Sequence, residues 1–326
     1  MGSSASKGTL SVPSELQHAL EEFDLKTQPI IDRMRLNLER RPAPHGICHY
    51  TSDLGLRGIL ESGKFWLTDI FALNDPSELR HGLSLAIDVL DEKVKNSSRA
   101  CQVFAKAFKE ALTGGIQKSA HYFVCSFSNN GNDLGQWRAY ADDGRGYCLE
   151  FEALPLETAF VKAARTETSG GEGFPVTYND SELIKVHGEV IESLLPLASL
   201  PAGNNLSEEI LSPYWTLLLT KFAVRVLHAS LYFKHMSYDN EKEYRFLEIH
   251  PRDVQPVVKF RPRGYELIRY REFDWRNGDA DVLRKIIVGP AADYEKARTY
   301  AKRCLDDFGF KNVEIIRSDI PYRACN

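Results

Sequence analysis

Apolar and polar positions recur along the chain with two different periods, which divide it into helical and extended segments. Residues 13–40 carry apolar side chains at helical spacing and predict an N-terminal helix. Residues 47–69 predict a strand, a helix that begins at Ser52 or Asp53 and ends at Gly63, and the second strand KFWLTD. Two further strands follow, HYFVCSFS and GYCLEFEAL, and we expect them to pair.

Two long helical patterns interrupt this series of strands. They lie at about residues 181–195 and 207–233, and Pro196 and Pro201 mark the break between them. After them the chain is mostly extended, in the segments EYRFLEIH, VVKFRPRGYELIRYREF, KIIVGP and VEIIRSDI. One amphipathic helix, at residues 293–308, precedes the last of these strands.

These patterns predict an α+β fold with a mainly antiparallel sheet, flanking helices and a helical insertion. We expect residues 1–45 to form an N-terminal helical lead-in and residues 46–326 to form a single α+β domain. The insertion occupies about residues 181–235 of that domain. Residues 165–180, RTETSGGEGFPVTYND, are expected to form a loop.

The composition is typical of a globular protein and narrows the classes of partner. Of the 326 residues, 43% are hydrophobic and 26% are charged, and the net charge is −4. This balance argues against binding nucleic acid by bulk phosphate neutralisation, although a local basic groove remains open. Six cysteines without a C-x-x-C pair indicate neither a zinc knuckle nor a disulfide framework and favour a cytoplasmic location. Since no apolar run is long enough to span a bilayer, we expect no membrane partner.

Several widespread catalytic motifs are missing from the sequence. It contains no G-x-x-x-x-G-K-[ST] loop, no G-x-G-x-x-G after a strand, no H-E-x-x-H and no G-x-S-x-G elbow. P-loop, Rossmann, zincin and α/β-hydrolase enzymes are therefore disfavoured. His45 and His49 lie near Cys48 but have no fourth ligand close by, so we expect no metal site.

A set of short motifs occurs in order between His49 and Arg323. They are HYTS, LRGILESGKFWLTD, LNDPSE, CSFS, QWRAYADDGRGYCLEF, KHMSYDNEKEYRF, KIIVGP and SDIPYR. In this order they resemble a bacterial domain-of-unknown-function family with H-Y-T, N-D-P-x-E, W-R-x-Y and E-x-E-x-R signatures. The opening, in which a strand ends in a histidine and leads into a helix and an aromatic strand, is also similar to ADP-ribosyltransferases of the diphtheria-toxin and poly-ADP-ribose-polymerase type.

The resemblance to ADP-ribosyltransferases implies an NAD site, with NAD as a substrate. It implies that His49 binds a ribose hydroxyl of NAD and that the backbone beyond it, at Tyr50 and Thr51, holds the nicotinamide carboxamide. It also implies an aromatic wall, for which Trp66 is the candidate, and a glutamate late in the sheet, for which Glu243 is the candidate.

The chemistry of NAD cleavage favours the same glutamate. Positive charge builds on the ribose as nicotinamide leaves, so a carboxylate there stabilises an oxocarbenium-like transition state. Alternation in EYRFLEI places Glu243 and Arg245 on one face of a strand, where Arg245 can hold the carboxylate or a pyrophosphate oxygen. Arg138 is the best candidate for contact with an anionic ligand. The alternative is that Glu241, Glu243 and Arg245 form a solvated salt-bridge stripe.

A second tier of candidates lies in the other motifs. A turn and a helix cap are sufficient to explain the residues of LNDPSE. The residues of QWRAY have two interpretations: they stack a base and pair with a phosphate, or they pack under a loop. The second-tier residues are Asn74, Asp75, Glu78, Gln136, Trp137, Tyr140, Tyr322 and Arg323.

Three functions remain open on the sequence alone. The first is an ADP-ribosyltransferase or NAD glycohydrolase that modifies a protein or nucleic acid, as a bacterial toxin or antiphage effector with a neutralising partner. The second is a nucleic-acid-processing enzyme that acts at phosphate without NAD. The third is a non-catalytic nucleotide- or protein-binding domain. A shared catalytic site requires His49, Arg138 and Glu243 to line one concave pocket.

Overall fold

The computed structural model describes most of the chain, and it falls into two compact units. The residues described are 13–39, 44–73, 77–115, 120–167, 169–200, 208–276 and 282–324. The first unit, called here the helical unit, comprises Met1–Asn37, Ser77–Ser119 and Asn179–Phe233. The second, called here the sheet unit, comprises Leu38–Pro76, Ala120–Tyr178 and Lys234–Asn326.

Helices and strands alternate irregularly along the chain. In order they are α1 (Ser14–Glu39), β1 (Gly46–Thr51), α2 (Asp53–Ser62), β2 (Lys64–Asp69), α3 (Ser77–Val94), α4 (Arg99–Thr113), β3 (Ala120–Ser128), α5 (Leu134–Tyr140), β4 (Tyr147–Glu152), α6 (Ala153–Ala164), β5 (Gly170–Pro175), α7 (Asp180–Ser199), α8 (Glu208–Ser230), β6 (Glu243–Pro251), β7 (Lys259–Arg263), β8 (Glu266–Asp274), β9 (Leu283–Val288), α9 (Tyr294–Asp307) and β10 (Glu314–Arg317). This content confirms the predicted α+β class.

The helical unit holds the long helices that the periodic pattern predicted. In it α3 packs on both α7 and α8. Helices α3 and α8 approach closely at Gly82, where an added Cβ would lie 2.4 Å from the Cβ of Ser230. At the same residue, the buried His187 of α7 places its Nε2 3.1 Å from the Gly82 carbonyl oxygen. Helix α7 continues through Pro196, so the predicted break falls after that residue.

The sheet unit contains one mainly antiparallel sheet. Its strand order is β10-β9-β4-β1-β3-β2-β8-β7, with β6 paired to β3 and β5 paired to β6. Only β9 and β10 run parallel among the described strands. The prediction that β3 and β4 pair is wrong, because both pair with β1, which lies between them.

The sheet forks at β3. Strand β6 pairs with the whole length of β3, so β1 and β2 must share its other edge. On that edge Cys48 of β1 lies opposite Ser128, and Thr68 of β2 lies opposite Val124. Two strands cannot occupy one edge over the same residues, so β1 and β2 diverge between these two positions.

The strand register assigns each side chain to one of two faces, because directly opposed residues point to the same side of a sheet. The apolar face carries Phe65, Phe127 and Phe246 and is covered by α2, α6 and α9. We call the opposite side the polar face. It carries Ser126 and Glu243, and farther along the sheet α5 packs on it.

Strand β5 was predicted to be a loop. Its glycines weaken the extended pattern that would have indicated a strand. The packing explains their presence, because an added Cβ on Gly171 would lie 2.4 Å from the Cβ of Ala164, and one on Gly173 would lie 2.8 Å from Glu157. The strand pairs with β6, and at Gly171 and Gly173 it lies too close to α6 for a larger residue.

Candidate functional site

A buried cluster of charged side chains lies on the polar face where β6 begins. We call it the Glu243 cluster, and its members are Ser126, Lys234, Glu241, Glu243 and Arg245. One carboxylate oxygen of Glu243 accepts hydrogen bonds from Ser126 Oγ at 2.6 Å and from Arg245 Nε at 2.7 Å. Its other oxygen accepts from Lys234 Nζ at 3.3 Å, and Lys234 Nζ also donates to Glu241 at 2.5 Å.

Backbone contacts fix these side chains in place. Ser126 lies directly opposite Arg245 in the β3–β6 ladder, so both project from the polar face. The backbone N–H of Glu243 donates to the Tyr178 hydroxyl at 2.9 Å, and the N–H of Lys234 donates to the Thr177 carbonyl at 3.0 Å. The start of β6 is therefore tied to the segment just after β5.

The cluster keeps its central carboxylate ionised. Burial alone would raise the pKa of Glu243. The positive charges of Arg245 and Lys234 and the hydrogen bond from Ser126 outweigh this effect and lower the pKa to about 2. The Glu243 side chain is 4% exposed and that of Arg245 is 2% exposed. The alternative of a solvated salt-bridge stripe is therefore wrong for this pair.

His49 lies on the opposite face of the sheet. Its ring contacts those of Phe65 and Phe127, with centroids 5.2 and 5.6 Å apart, and its Nδ1 lies 3.3 Å from the Ser126 carbonyl oxygen. That carbonyl lies within the fork, where the edge of β3 away from β6 has no regular partner between β1 and β2. Burial among these rings lowers the pKa of His49 to about 4, although the Ser126 carbonyl acts in the other direction.

The expectation that His49 and Glu243 line one pocket is therefore wrong. Residues alternate between faces along a strand, and Cys48 and Tyr50 occupy the polar face of β1. His49 and Thr51 consequently project toward the apolar face. The sheet itself separates the His49 imidazole from the Glu243 carboxylate.

Tyr50 and Trp137 pack together on the polar face beneath α5. Their rings meet edge to face at 4.9 Å, and the Tyr50 hydroxyl donates to the Asn130 carbonyl at 2.7 Å. The Trp137 indole Nε1 donates to Asn132 at 2.9 Å. Gln136, on the same helix, is also buried. The tryptophan of the W-R-x-Y motif thus anchors α5 to the sheet.

Arg138 and Tyr140 point away from this core and are exposed. Arg138 Nε lies 3.9 Å from a carboxylate oxygen of Asp143, which also accepts the Tyr322 hydroxyl at 2.6 Å. Asp143 thus lies between Arg138 and the C-terminal segment, and no described contact joins Arg138 to Glu243. Arg323 is exposed beside Tyr322.

Trp66 shares the polar face with Glu243 but lies across β3 from it. Its side chain is 46% exposed, its ring lies 4.6 Å from that of Tyr270, and Arg261 Cζ lies 5.4 Å from its centroid.

Of the LNDPSE candidates, Asn74 and Asp75 lie outside the described residues. Glu78 is the second residue of α3, and its side chain also lies outside the description.

Sequence reasoning missed three members and supports of the cluster. Ser126 carried a weak signal, because a polar residue alternates with aromatic ones in CSFS. Lys234 begins the motif KHMSYDNEKEYRF but was not singled out, and Tyr178 carried no signal, since both roles depend on how the chain folds around the start of β6. A second buried group was also missed, in which Glu248 on the apolar face pairs with His250 at 3.0 Å and Arg271 at 2.8 Å.

Comparison with known proteins gives one finding. A family model described as a protein of unknown function (DUF2971) matches residues 136–246, about a third of the chain. The matched range runs from α5 into β6 and contains Lys234, Glu243 and Arg245. The chain is therefore similar to an uncharacterised family over this range. No curated protein and no solved structure gives a match.

Two further properties hold for the described part of the chain. None of its helices has the length and apolarity that crossing a membrane requires. Within the same residues, no three His, Cys, Asp or Glu side chains are grouped as metal ligands.

Proposed function

We propose that the Glu243 cluster is the catalytic centre of an NAD-dependent enzyme of the ADP-ribosyltransferase or NAD glycohydrolase type. One observation carries the proposal: a buried carboxylate is kept ionised by two cations and oriented by a serine of the neighbouring strand. A buried ion pair is weak evidence of selection for stability, because replacing the whole pair by apolar residues of similar volume is often neutral or stabilising. We therefore assign the cluster a functional reason.

The proposed chemistry suits a carboxylate with a low pKa. As nicotinamide leaves NAD, positive charge develops at C1′ of the ribose, and an ionised Glu243 stabilises that charge. With a pKa of about 2, Glu243 carries no proton to donate near neutral pH, so it acts as an electrostatic stabiliser and not as a general acid. The Ser126 hydroxyl orients the carboxylate.

Other residues of the polar face complete the proposed site. Lys234 and Arg245 supply positive charge for the diphosphate of NAD, and Trp66 offers a partly exposed ring on the same face. His49 is no longer part of this proposal. The acceptor is a protein or a nucleic acid. Unregulated transfer would harm the cell that makes the enzyme, so we propose a toxin or antiphage effector held by a neutralising partner.

A second candidate is a non-catalytic nucleotide-binding domain. It is favoured by the pairing of both Glu243 oxygens in the structure, which leaves the carboxylate engaged with protein groups. The phosphate-acting enzyme receives less support, because it would need His49 as a base beside the charged residues Glu243 and Arg245, and His49 projects from the other face.

The experiment measures nicotinamide release from labelled NAD and NAD binding by calorimetry. Glu243→Gln keeps the size and removes the charge, so it should preserve NAD affinity and lower turnover about 100- to 1,000-fold. Glu248→Gln is the matched control, because Glu248 is equally buried and paired on the same strand but faces the other way. The control should retain turnover.

The outcomes separate the candidates. NAD binding without nicotinamide release, with any fraction of a cell lysate as acceptor, supports the non-catalytic domain. Wild-type protein that neither binds NAD nor releases nicotinamide overturns both. Equal loss of turnover in the two variants would mean that the effect is structural.

A further inference from the structure

The hairpin formed by β7 and β8 differs in charge from the rest of the chain. Residues 257–272 carry five basic and two acidic side chains, a net charge of +3, whereas the whole chain has a net charge of −4. The basic residues are Lys259, Arg261, Arg263, Arg269 and Arg271. Arg269 and Arg271 pair with Asp69 and Glu248, and Lys259 pairs with Glu272 at 2.8 Å. The basic surface of the hairpin is therefore the row formed by Lys259, Arg261 and Arg263.

The same hairpin exposes large apolar side chains. Phe260 is 55% exposed and Leu267 is 70% exposed, while Tyr265 at the tip is fully exposed. The tip is a two-residue turn in which Gly264 has a φ of 60°, as a tight hairpin turn requires at that position. Basic and apolar residues thus alternate along the hairpin, so Phe260 and Leu267 project from the face opposite to the basic side chains of β7, while Tyr265 lies at the tip.

The register brings the basic residues of β7 onto the polar face. Lys259, Arg261 and Arg263 project there at intervals of two residues, which corresponds to about 6.8 Å in an extended strand. Beside them Arg261 stacks over Trp66, and Tyr270 packs against the same ring. Because β7 is the last strand in the order, this row runs along an edge of the sheet.

We propose that this surface binds single-stranded nucleic acid. A row of cations along a strand can follow a phosphate backbone, and exposed aromatic rings accept stacked bases without regard to sequence. Trp66 lies on the third strand from the edge, about 10 Å inward, since neighbouring strands are 4.8 Å apart. A flexible single strand that crosses the polar face can contact both the basic row of β7 and Trp66, which is 46% exposed on that face.

The test is fluorescence anisotropy with fluorescein-labelled dT12 and rU12 at 50 mM salt. No NAD is present, so the result does not depend on the proposed catalytic function. The double variant K259Q/R263Q should bind at least tenfold more weakly than wild type. Each lost phosphate contact lowers the slope of log affinity against log salt by about 0.7, so two lost contacts should lower it by about 1.4. The matched control is R298Q/K302Q, which removes two exposed charges from α9.

A third variant tests stacking separately from charge. Tyr265→Ala removes a fully exposed ring, so folding should be unaffected while affinity falls about fivefold or more. The proposal is overturned if wild-type protein binds neither oligonucleotide, or if K259Q/R263Q binds like its control. It is also overturned if vesicles of phosphatidylcholine and phosphatidylserine bind in a hairpin-dependent manner and the oligonucleotides do not.

Discussion

Replacement of Glu243 by glutamine tests the electrostatics of the cluster directly. The pKa of Glu243 falls from an ordinary 4.5 to about 2 in the folded protein. A difference of about 2.5 pKa units corresponds to about 3 kcal/mol, since each unit is worth 1.36 kcal/mol. Glutamine keeps the size of the side chain but loses this charge-dependent term. We therefore expect Glu243→Gln to lower the free energy of unfolding by about 3 kcal/mol at pH 7.

The direction of the pKa shift determines how the stability difference between wild type and Glu243→Gln changes with pH. A carboxyl whose pKa is lower in the folded state contributes its full stabilisation above its unfolded pKa, here 4.5. That contribution declines as the pH falls from about 4.5 to about 2, because the folded protein resists protonation longer than the unfolded chain. The difference between wild type and Glu243→Gln should therefore shrink across this range.

Urea unfolding at pH 7, 4.5, 3.5 and 2.5 measures this difference, with tryptophan fluorescence and circular dichroism as coincident probes. Other acid-sensitive groups are present in both proteins and cancel in the comparison. Glu266→Gln, at an exposed position on β8, should change stability by less than 0.5 kcal/mol, the range expected for surface substitutions. A difference for Glu243→Gln below 1 kcal/mol at pH 7, or one that is constant in acid, would refute the reasoning.

Three further changes test other contacts by the same unfolding assay. Gly82→Ala should lower stability, since the new Cβ would lie 2.4 Å from Ser230, and Ser230→Gly in the same chain should restore most of the loss. Tyr178→Phe should cost about 1–3 kcal/mol by leaving the buried Glu243 N–H without its acceptor; an unchanged midpoint would contradict this. His49 should titrate near pH 4 by NMR, so the stability that its neutral ring contributes is complete above pH 6.5 and declines as the pH falls toward 4. His49→Ala should destabilise the protein without changing NAD binding.

Local signals in the sequence predicted most helices and strands. The side chain of Ser52 accepts the Gly55 N–H at the start of α2, and Gly63 ends that helix with a φ of 64°. Both features depend only on neighbouring residues, so the sequence displays them. The alternation in EYRFLEI likewise placed Glu243 and Arg245 together, because it requires no knowledge of other strands.

The face of the sheet on which each candidate residue lies depends on pairing between distant strands, which local sequence patterns do not show. Whether His49 or Tyr50 shares a face with Glu243 depends on the register of β1 against β3 and of β3 against β6. A shift of one residue in either pairing would exchange the two faces. Lys234 begins the motif KHMSYDNEKEYRF, nine residues before Glu243, but only the folded chain shows that its Nζ contacts that carboxylate.

The complete pairing of β3 with β6 has a consequence for synthesis of the protein. Ser128 ends β3 and Pro251 ends β6, so 123 residues must be added before the last β6 residue emerges to pair with β3. At about 5–20 residues per second this takes about 6–25 s, during which one edge of a largely apolar strand has no partner. The nascent chain therefore exposes an aggregation-prone edge through much of its translation, and we expect its yield to depend on chaperones that bind extended apolar segments.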